Sequence, residues 1–284
     1  MRFGLHLPQF GPALTAGAIE LAANKAEELG FDDVWVSDHL VAAAGQSSPS
    51  PCMYDPLVAL AFAAAVTTRI GLGTSVLVAP QYPSPLAIAN SLASLDFMSQ
   101  GRLTVGTGIG WSRTEYEALG ASFEHRAERL MEIVDLWRQA WSDDPLTYEG
   151  RFYSCHDISL FPKPAHDIPI WLGGNSESAI TRAIRVASGY HAIGITPERS
   201  AAFVDEIRAV RPAESFTISV RIALDVRTDP NALIGDVAAY NASGVQHLLF
   251  DPHMPTRLQG LRDGGGVDEW LATVEWLAQQ LGLT

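Results

Sequence analysis

Residues 168–187 read IPIWLGGNSESAITRAIRVA, and the order of residue types in this stretch decides the fold. Ile168, Ile170, Trp171 and Leu172 form a short apolar run, as expected of a strand covered on both faces of a parallel sheet. Gly173 and Gly174 end the run; lacking a Cβ, they tolerate positive φ and let backbone approach a ligand closely. Asn175 or Ser176 then caps a helix that continues to Ala187. The first-turn N–H groups of such a helix are unpaired and carry the positive end of its dipole, which makes a seat for a phosphate. An ordinary strand-to-helix turn has the same pattern, so the choice between the two rests on the rest of the chain.

On both sides of this unit the strand-then-helix order repeats. Phe3 to Phe10 alternates as a first strand, and a helix from Thr15 to Leu29 closes at Gly30. Asp33 to Ser37 is a second buried strand that delivers Asp38 and His39 at its C-terminal end. Residues 42–53, AAAGQSSPSPCM, have the small, polar and Pro-rich composition of a mobile loop, and their place after Asp38-His39 suits a lid. A helix over Asp55 to Val66 leads to a third strand, Arg69 to Val78, with Thr74, Ser75 and Val76 towards its end. After a helix from Pro85 to Met98, a fourth strand, Gly101 to Gly108, runs into Gly110, Trp111 and Ser112. Helical patterns follow over Arg113 to Leu119 and Glu124 to Trp141. From Asp143 to Asp167 the alternation breaks, and Leu146 to Tyr148 and Arg151 to Ser154 read as an inserted hairpin about Glu149-Gly150.

Beyond the opening stretch, strands are expected at Tyr190 to Gly194, Phe216 to Val226 and Val245 to Phe250. They alternate with helices at Pro197 to Val210, from Asp229 to near Gly244, and Val267 to Leu281. Eight strand-helix units without an internal repeat or linker imply a single α/β domain over residues 1–284, closed as a (β/α)8 TIM barrel with an insertion at about 143–167. The competing architecture is a doubly wound open sheet. In both, ligands bind beyond the C-terminal ends of the strands, which is where Asp38, His39, Ser75, residues 108–112 and residues 173–176 fall.

The 284 residues are 47% hydrophobic and 18% charged, enough apolar material for a large core and unlike a disordered chain. A net charge of −13 with no Lys/Arg cluster repels nucleic acid and anionic membrane, so the expected partner is a small molecule. The longest apolar run, Leu57 to Val66, is too short to span a bilayer, and no signal-peptide pattern follows Met1; the expected location is the cytoplasm. Cys52 and Cys155 fit no metal or disulfide spacing, which suits a reducing compartment. His6, His39, His191 and His247 all fall on or just after expected strands, yet they lack His-x-His or His-Glu-x-x-His spacing, so no metal site is assigned. His39 is the candidate catalytic residue, since an imidazole exchanges protons near neutrality, and Asp38 either orients it or points away. His6 and His247 read as satisfied interior histidines.

The segments FGLHLPQFG, VWVSDH, GLGTSVL, GRLTVGTGIGW, ERLMEIVDLWRQAW and IPIWLGGNSESA, in this order, resemble the luciferase-like monooxygenase superfamily, in particular its branch that uses the deazaflavin coenzyme F420. The resemblance covers nearly the whole chain. It implies a (β/α)8 barrel with an inserted segment, a homodimer, and an isoalloxazine-type ring held across the strand ends. By position it places Asp38 and His39 beside the ring, a non-prolyl cis peptide at Ser75-Val76 beneath it with Thr74 adjoining, Gly108, Gly110, Trp111 and Ser112 along its tail, and Gly173, Gly174, Asn175 and Ser176 at its phosphate. The activity implied is hydride transfer between the deazaflavin and an organic substrate. The alternatives are an FMN-dependent monooxygenase supplied with reduced flavin by a partner reductase, and a non-catalytic flavin-binding protein. Where glucose-6-phosphate-oxidising relatives have an acidic residue after the glycine ending strand four, this chain has Ile109, and their tryptophan beyond the Asp-His pair has no counterpart in residues 41–44. Both departures count against a sugar phosphate substrate. The family's Gly-Asp-Gly-Trp is here Ala187-Ser188-Gly189-Tyr190.

Overall fold

The computed structural model describes residues 1–41, 53–224, 229–252 and 266–283. Its strands are β1 (Arg2–His6), β2 (Asp33–Val36), β3 (Gly71–Thr74), β4 (Leu103–Thr107), β5 (Leu146–Glu149), β6 (Ser154–Ile158), β7 (Ile170–Gly173), β8 (Gly189–Ile193), β9 (Thr217–Ala223) and β10 (His247–Asp251). The α-helices are α1 (Ala18–Glu28), α2 (Pro56–Val66), α3 (Pro85–Met98), α4 (Arg113–Ala118), α5 (Arg126–Ser142), α6 (Glu177–Val186), α7 (Pro197–Arg208), α8 (Pro230–Ala242) and α9 (Val267–Leu281). The loop expected to act as a lid falls, apart from Met53, outside the described residues, as do Cys52 and the end of the expected strand beyond Leu224.

Strands β1, β2, β3, β4, β7, β8, β9 and β10 close into a barrel in that order, every neighbouring pair parallel. Closure is fixed by β1, which pairs with β10 through Arg2–His247 and with β2 through Gly4–Asp33, and this excludes the open doubly wound sheet. Hydrogen-bonding caps start several helices where the sequence supplies an acceptor: Asp55 for α2, Ser84 for α3, Thr196 for α7 and Asp229 for α8. Proline occupies the first turn of each of these helices, where its missing N–H costs no bond.

The barrel interior is filled by an aromatic stack. Trp35 and Trp171 stack at 5.2 Å between centroids, and the imidazole of His191 lies parallel to Trp35 at 5.4 Å. Gly73 and Gly189 make room for them, since a Cβ on either would run into the indole of Trp35 or Trp171. Around the barrel, helix faces pack on the strands through one large apolar core.

The insertion is a two-stranded antiparallel sheet of β5 and β6 beside α5. Its second strand lies at 154–158 where the sequence pattern put it at 151–154. The cause is long-range: the Glu132 carboxylate of α5 accepts from the backbone N–H groups of Arg151, Phe152 and Tyr153, which therefore form the turn. Likewise β3 ends at Thr74, short of the expected Val78; the Ser75 N–H still bonds the Val36 carbonyl, a cis peptide joins Ser75 to Val76, and Leu77 meets β4 only through an isolated bridge to Thr107.

Candidate active site at the barrel mouth

The expected site residues fall at the C-terminal ends of four adjacent strands, β2, β3, β4 and β7. At the centre of this arc Val76 follows the cis Ser75–Val76 bond, where the resemblance places it. Its methyl groups lie 2.9 Å from where a Cβ would stand on Gly108 and 2.9 Å from where one would stand on Gly173. Glycine at both neighbouring strand ends therefore leaves space for Val76 at the floor of the mouth. Gly110 is similarly constrained, with φ +64° and the Val78 side chain in the place of any Cβ.

The other two residues of the β3 end turn inward. The Thr74 hydroxyl donates to the Gly106 carbonyl at 2.7 Å, and Thr74 is wholly buried. Ser75 Oγ lies 2.8 Å from His191 Nε2, and its carbonyl accepts from Arg221 at 2.8 Å. Below this level runs a continuous polar chain. Ser219 Oγ bridges His191 Nδ1 at 2.8 Å and His247 Nδ1 at 2.7 Å, and His247 Nε2 meets Asp33 Oδ1 at 2.8 Å. Arg221 also pairs with Asp251 and donates to Ser37 Oγ, which lies 2.8 Å from His6 Nε2. His6 and His247 are thus interior histidines with partners, as expected, and His191 joins them. Burial first, then the neighbouring His247 and the Arg221 guanidinium, push the His191 imidazole well below its ordinary range, which favours its neutral form. Burial alone would raise the Asp33 carboxyl, but His247, Trp35 and Arg2 together bring it below the ordinary value.

Asp38 and His39 follow β2 and part company. The Asp38 carboxylate accepts from the Val78 N–H at 2.8 Å, the Tyr82 hydroxyl at 3.1 Å and the Gln81 amide at 3.3 Å. Burial pushes this carboxyl up to about 7; its hydrogen bonds to Val78 and Tyr82 offset only part of that, and the Glu115 charge adds to the rise. His39 is held by another residue: its Nδ1 lies 3.1 Å from Oε2 of Glu115 on α4. Trp111, 62% exposed, meets the His39 ring edge-on at 5.9 Å. Ser112 caps α4 by accepting from the Glu115 N–H at 3.2 Å.

Beyond β7, Gly174 has φ +127° and the cap of α6 is Ser176, whose hydroxyl accepts from the Ala179 N–H. Asn175, the other candidate cap, instead clasps β8, donating to the Ile193 carbonyl at 2.6 Å and accepting from its N–H at 3.1 Å. Two hydroxyls, Ser176 and Ser178, stand 3.0 Å apart in the first turn. The Arg199 guanidinium donates to the Asn175 carbonyl at 3.0 Å and so brings a cation to the same loop. Tyr190, the second residue of β8, donates its hydroxyl to the Gly174 carbonyl, which gives it a role in shaping the glycine turn.

Glu115, Arg199, Arg221 and Tyr190 were not among the expected site residues. Arg221 had a visible signal, a cation inside the apolar run TISVRIALDV. Glu115 had one too, but Ser112-x-x-Glu115 reads as a capping box and points to helix formation only. Among the described residues no group of three or more His, Cys, Asp or Glu is placed to hold a metal ion, and no helix is long and apolar enough to cross a membrane.

The chain is 35% identical over 185 residues to an F420-dependent glucose-6-phosphate dehydrogenase of Kineococcus radiotolerans, a match covering 64% of this chain and 52% of that protein. The chain therefore spans only about half the length of that relative. A protein of the same name from Intrasporangium calvum is 28% identical over 287 residues, covering 93% of this chain and 82% of the relative. Among solved structures, the monooxygenase RslO1 from Streptomyces bottropensis superposes with a TM-score of 0.80 at 22% identity over 99% of this chain and 98% of the other. The family model for luciferase-like monooxygenases matches residues 1–280, and this chain belongs to that family.

Proposed function

We propose that this protein is a coenzyme F420-dependent oxidoreductase that moves a hydride between the deazaflavin and an organic substrate. The observation that carries the reading is the arc at the barrel mouth. It combines a floor at Val76 with glycine on both sides, an imidazole backed by a carboxylate at one end, and a capped helix N-terminus with a cation at the other. The names of the two curated relatives support F420 as the cofactor.

The residues fit such a group. The N–H groups of Glu177 and Ser178 open α6 and have no partner within the helix; together with the Ser176 and Ser178 hydroxyls and Arg199 they suit a phosphate. Gly174, with φ +127° and Ala179 of α6 2.9 Å from where a Cβ would stand, lets the chain turn closely onto the start of that helix. When bound, the deazaflavin supplies a carbon that carries the hydride. The protein's part is to hold the ring over Val76 and to exchange a proton at His39. Ile109 stands where glucose-6-phosphate-oxidising relatives have an acid, so the substrate is read as an organic molecule other than a sugar phosphate.

A homodimer fits this reading, because α2 exposes Val58 and Phe62 on one face and the end of neighbouring α3 exposes Phe97 and Met98. A monomer mass by light scattering would remove that part. The cofactor is tested by titrating the purified protein with F420 and with FMN. The expected result is F420 binding at least about tenfold tighter, about 1.4 kcal/mol. Tighter FMN binding, with oxygen consumed when reduced FMN is supplied, would transfer the protein to the monooxygenase reading. Cofactor binding without turnover of any substrate would leave a flavin-binding protein.

A further inference from the structure

We propose that Glu115 is the positioning residue for His39: it accepts the Nδ1 proton, fixes that tautomer, and leaves Nε2 as the nitrogen that exchanges protons at the mouth. The inference rests on the functional reading above only for the purpose of that proton; the tautomer is a property of the protein alone.

Three observations lead to it. First, Asp38 is adjacent in sequence but its oxygens are taken by Val78, Gln81 and Tyr82, whereas Glu115 Oε2 lies 3.1 Å from His39 Nδ1. Second, Glu115 forgoes a local partner to make this contact. In the sequence Ser112-Arg113-Thr114-Glu115 the serine accepts from the Glu115 N–H at 3.2 Å, which is half of a capping box. The reciprocal half would return the glutamate side chain to the Ser112 N–H, but one carboxylate oxygen meets His39 and the other, Oε1, is buried with no hydrogen-bond partner among the described residues. A buried carboxylate oxygen left idle is costly, so the position is not explained by helix capping. Third, the pair is asymmetric: the Glu115 side chain is 4% exposed and that of His39 is 21% exposed, so the carboxylate sits behind the ring. A neutral imidazole has one N–H, and a carboxylate only accepts, so a bond at Nδ1 places the proton there and the lone pair on Nε2. A proton taken up at Nε2 then makes a cation that the Glu115 carboxylate balances, and its return to substrate or solvent restores the starting charge.

The test reads the tautomer directly. Protein labelled with 15N-histidine is examined by two-bond nitrogen–proton correlation with the imidazoles neutral, and His39 is assigned by its loss in His39→Ala. Wild type is expected to show the Nδ1–H form at His39. Glu115→Leu is expected to remove that preference while the signals of His247, which meets Asp33 deep in the barrel, stay in place as the check on folding. If Glu115→Leu does not fold, Glu115→Gln serves: a neutral acceptor should keep the tautomer while shifting the Nδ1 proton upfield, as a weaker bond does. An Nε2–H form in wild type, an unchanged His39 spectrum in Glu115→Leu, or an unmoved Nδ1 proton in Glu115→Gln overturns the assignment. A separate titration of wild type with F420 tests the functional reading, so failure to bind the cofactor is distinguishable from failure of the tautomer.

Discussion

His247 and His39 each set a ring nitrogen against a carboxylate, Asp33 at 2.8 Å and Glu115 at 3.1 Å, and the two pairs are alike in chemistry. Their surroundings differ. His247 is wholly buried, its second nitrogen is taken by Ser219, and Asp33 also accepts from Trp35, so the group is closed. At the mouth, the His39 side chain is partly exposed and one oxygen of Glu115 has no partner among the described residues. A histidine–carboxylate pair of this kind marks a site where its hydrogen-bonding capacity is left partly unused.

The largest expected effect breaks the closed pair. Asp33→Ala removes the partner of a buried imidazole and of the Trp35 indole, and should cost about 3–5 kcal/mol of unfolding free energy. His39→Ala, where water can replace the ring, should cost about 1 kcal/mol. Urea unfolding of both variants checks this; equal losses would mean that the two pairs are equally structural.

How far the sequence reaches can be seen from the same residues. The alternation of apolar runs and helical spacing is a local property, and it placed all eight barrel strands and the order that brings 38–39, 74–76, 108–112 and 173–176 to one end. Partnership is not local. Ser219 stands between His191 and His247 because the registers of β8 and β10 on β9 both bring their histidines opposite it. No spacing within the chain states that register. The same holds for Glu115, 76 residues from His39, and for Arg199, 24 residues from Asn175. Residue type named His39 as the candidate; only the packing shows which carboxylate stands behind it.

A second, smaller effect concerns Asp38, which has several donors but is still driven up to about 7 by burial. In the unfolded chain this carboxyl titrates near 3.8, so between the two values the folded state binds more protons than the unfolded one. Stability therefore falls as pH rises through that window, and the loss is complete above it. At about 1.4 kcal/mol for each pH unit between 3.8 and about 7, the contribution is at most about 4 kcal/mol. Asp38→Asn should remove this slope and be the more stable protein at pH 8, measured by unfolding at several pH values. A slope unchanged in the variant would assign it to another group and leave Asp38 as closed, electrostatically, as Asp33.

The smallest effect sharpens the contrast at the far side of the mouth, where the α6 N-terminus has donors to spare. Ser176 caps the helix through its hydroxyl, and an aspartate also caps well, so Ser176→Asp should leave the helix and the unfolding free energy nearly unchanged. What changes is charge. A carboxylate beside the Glu177 and Ser178 N–H groups occupies the dipole and competes for Arg199, which reaches the same loop through the Asn175 carbonyl. A cofactor phosphate seated there should bind roughly 1–3 kcal/mol more weakly. Added salt should narrow the difference between wild type and variant, since the repulsion and the Arg199 attraction are both at exposed positions. Isothermal titration with F420 at two salt concentrations separates this from a folding defect, because stability is expected to hold while affinity falls. Unchanged affinity would move the phosphate away from α6. The comparison would then narrow to its other end, with His39 and Glu115 as the part of the mouth still marked by unused hydrogen-bonding capacity.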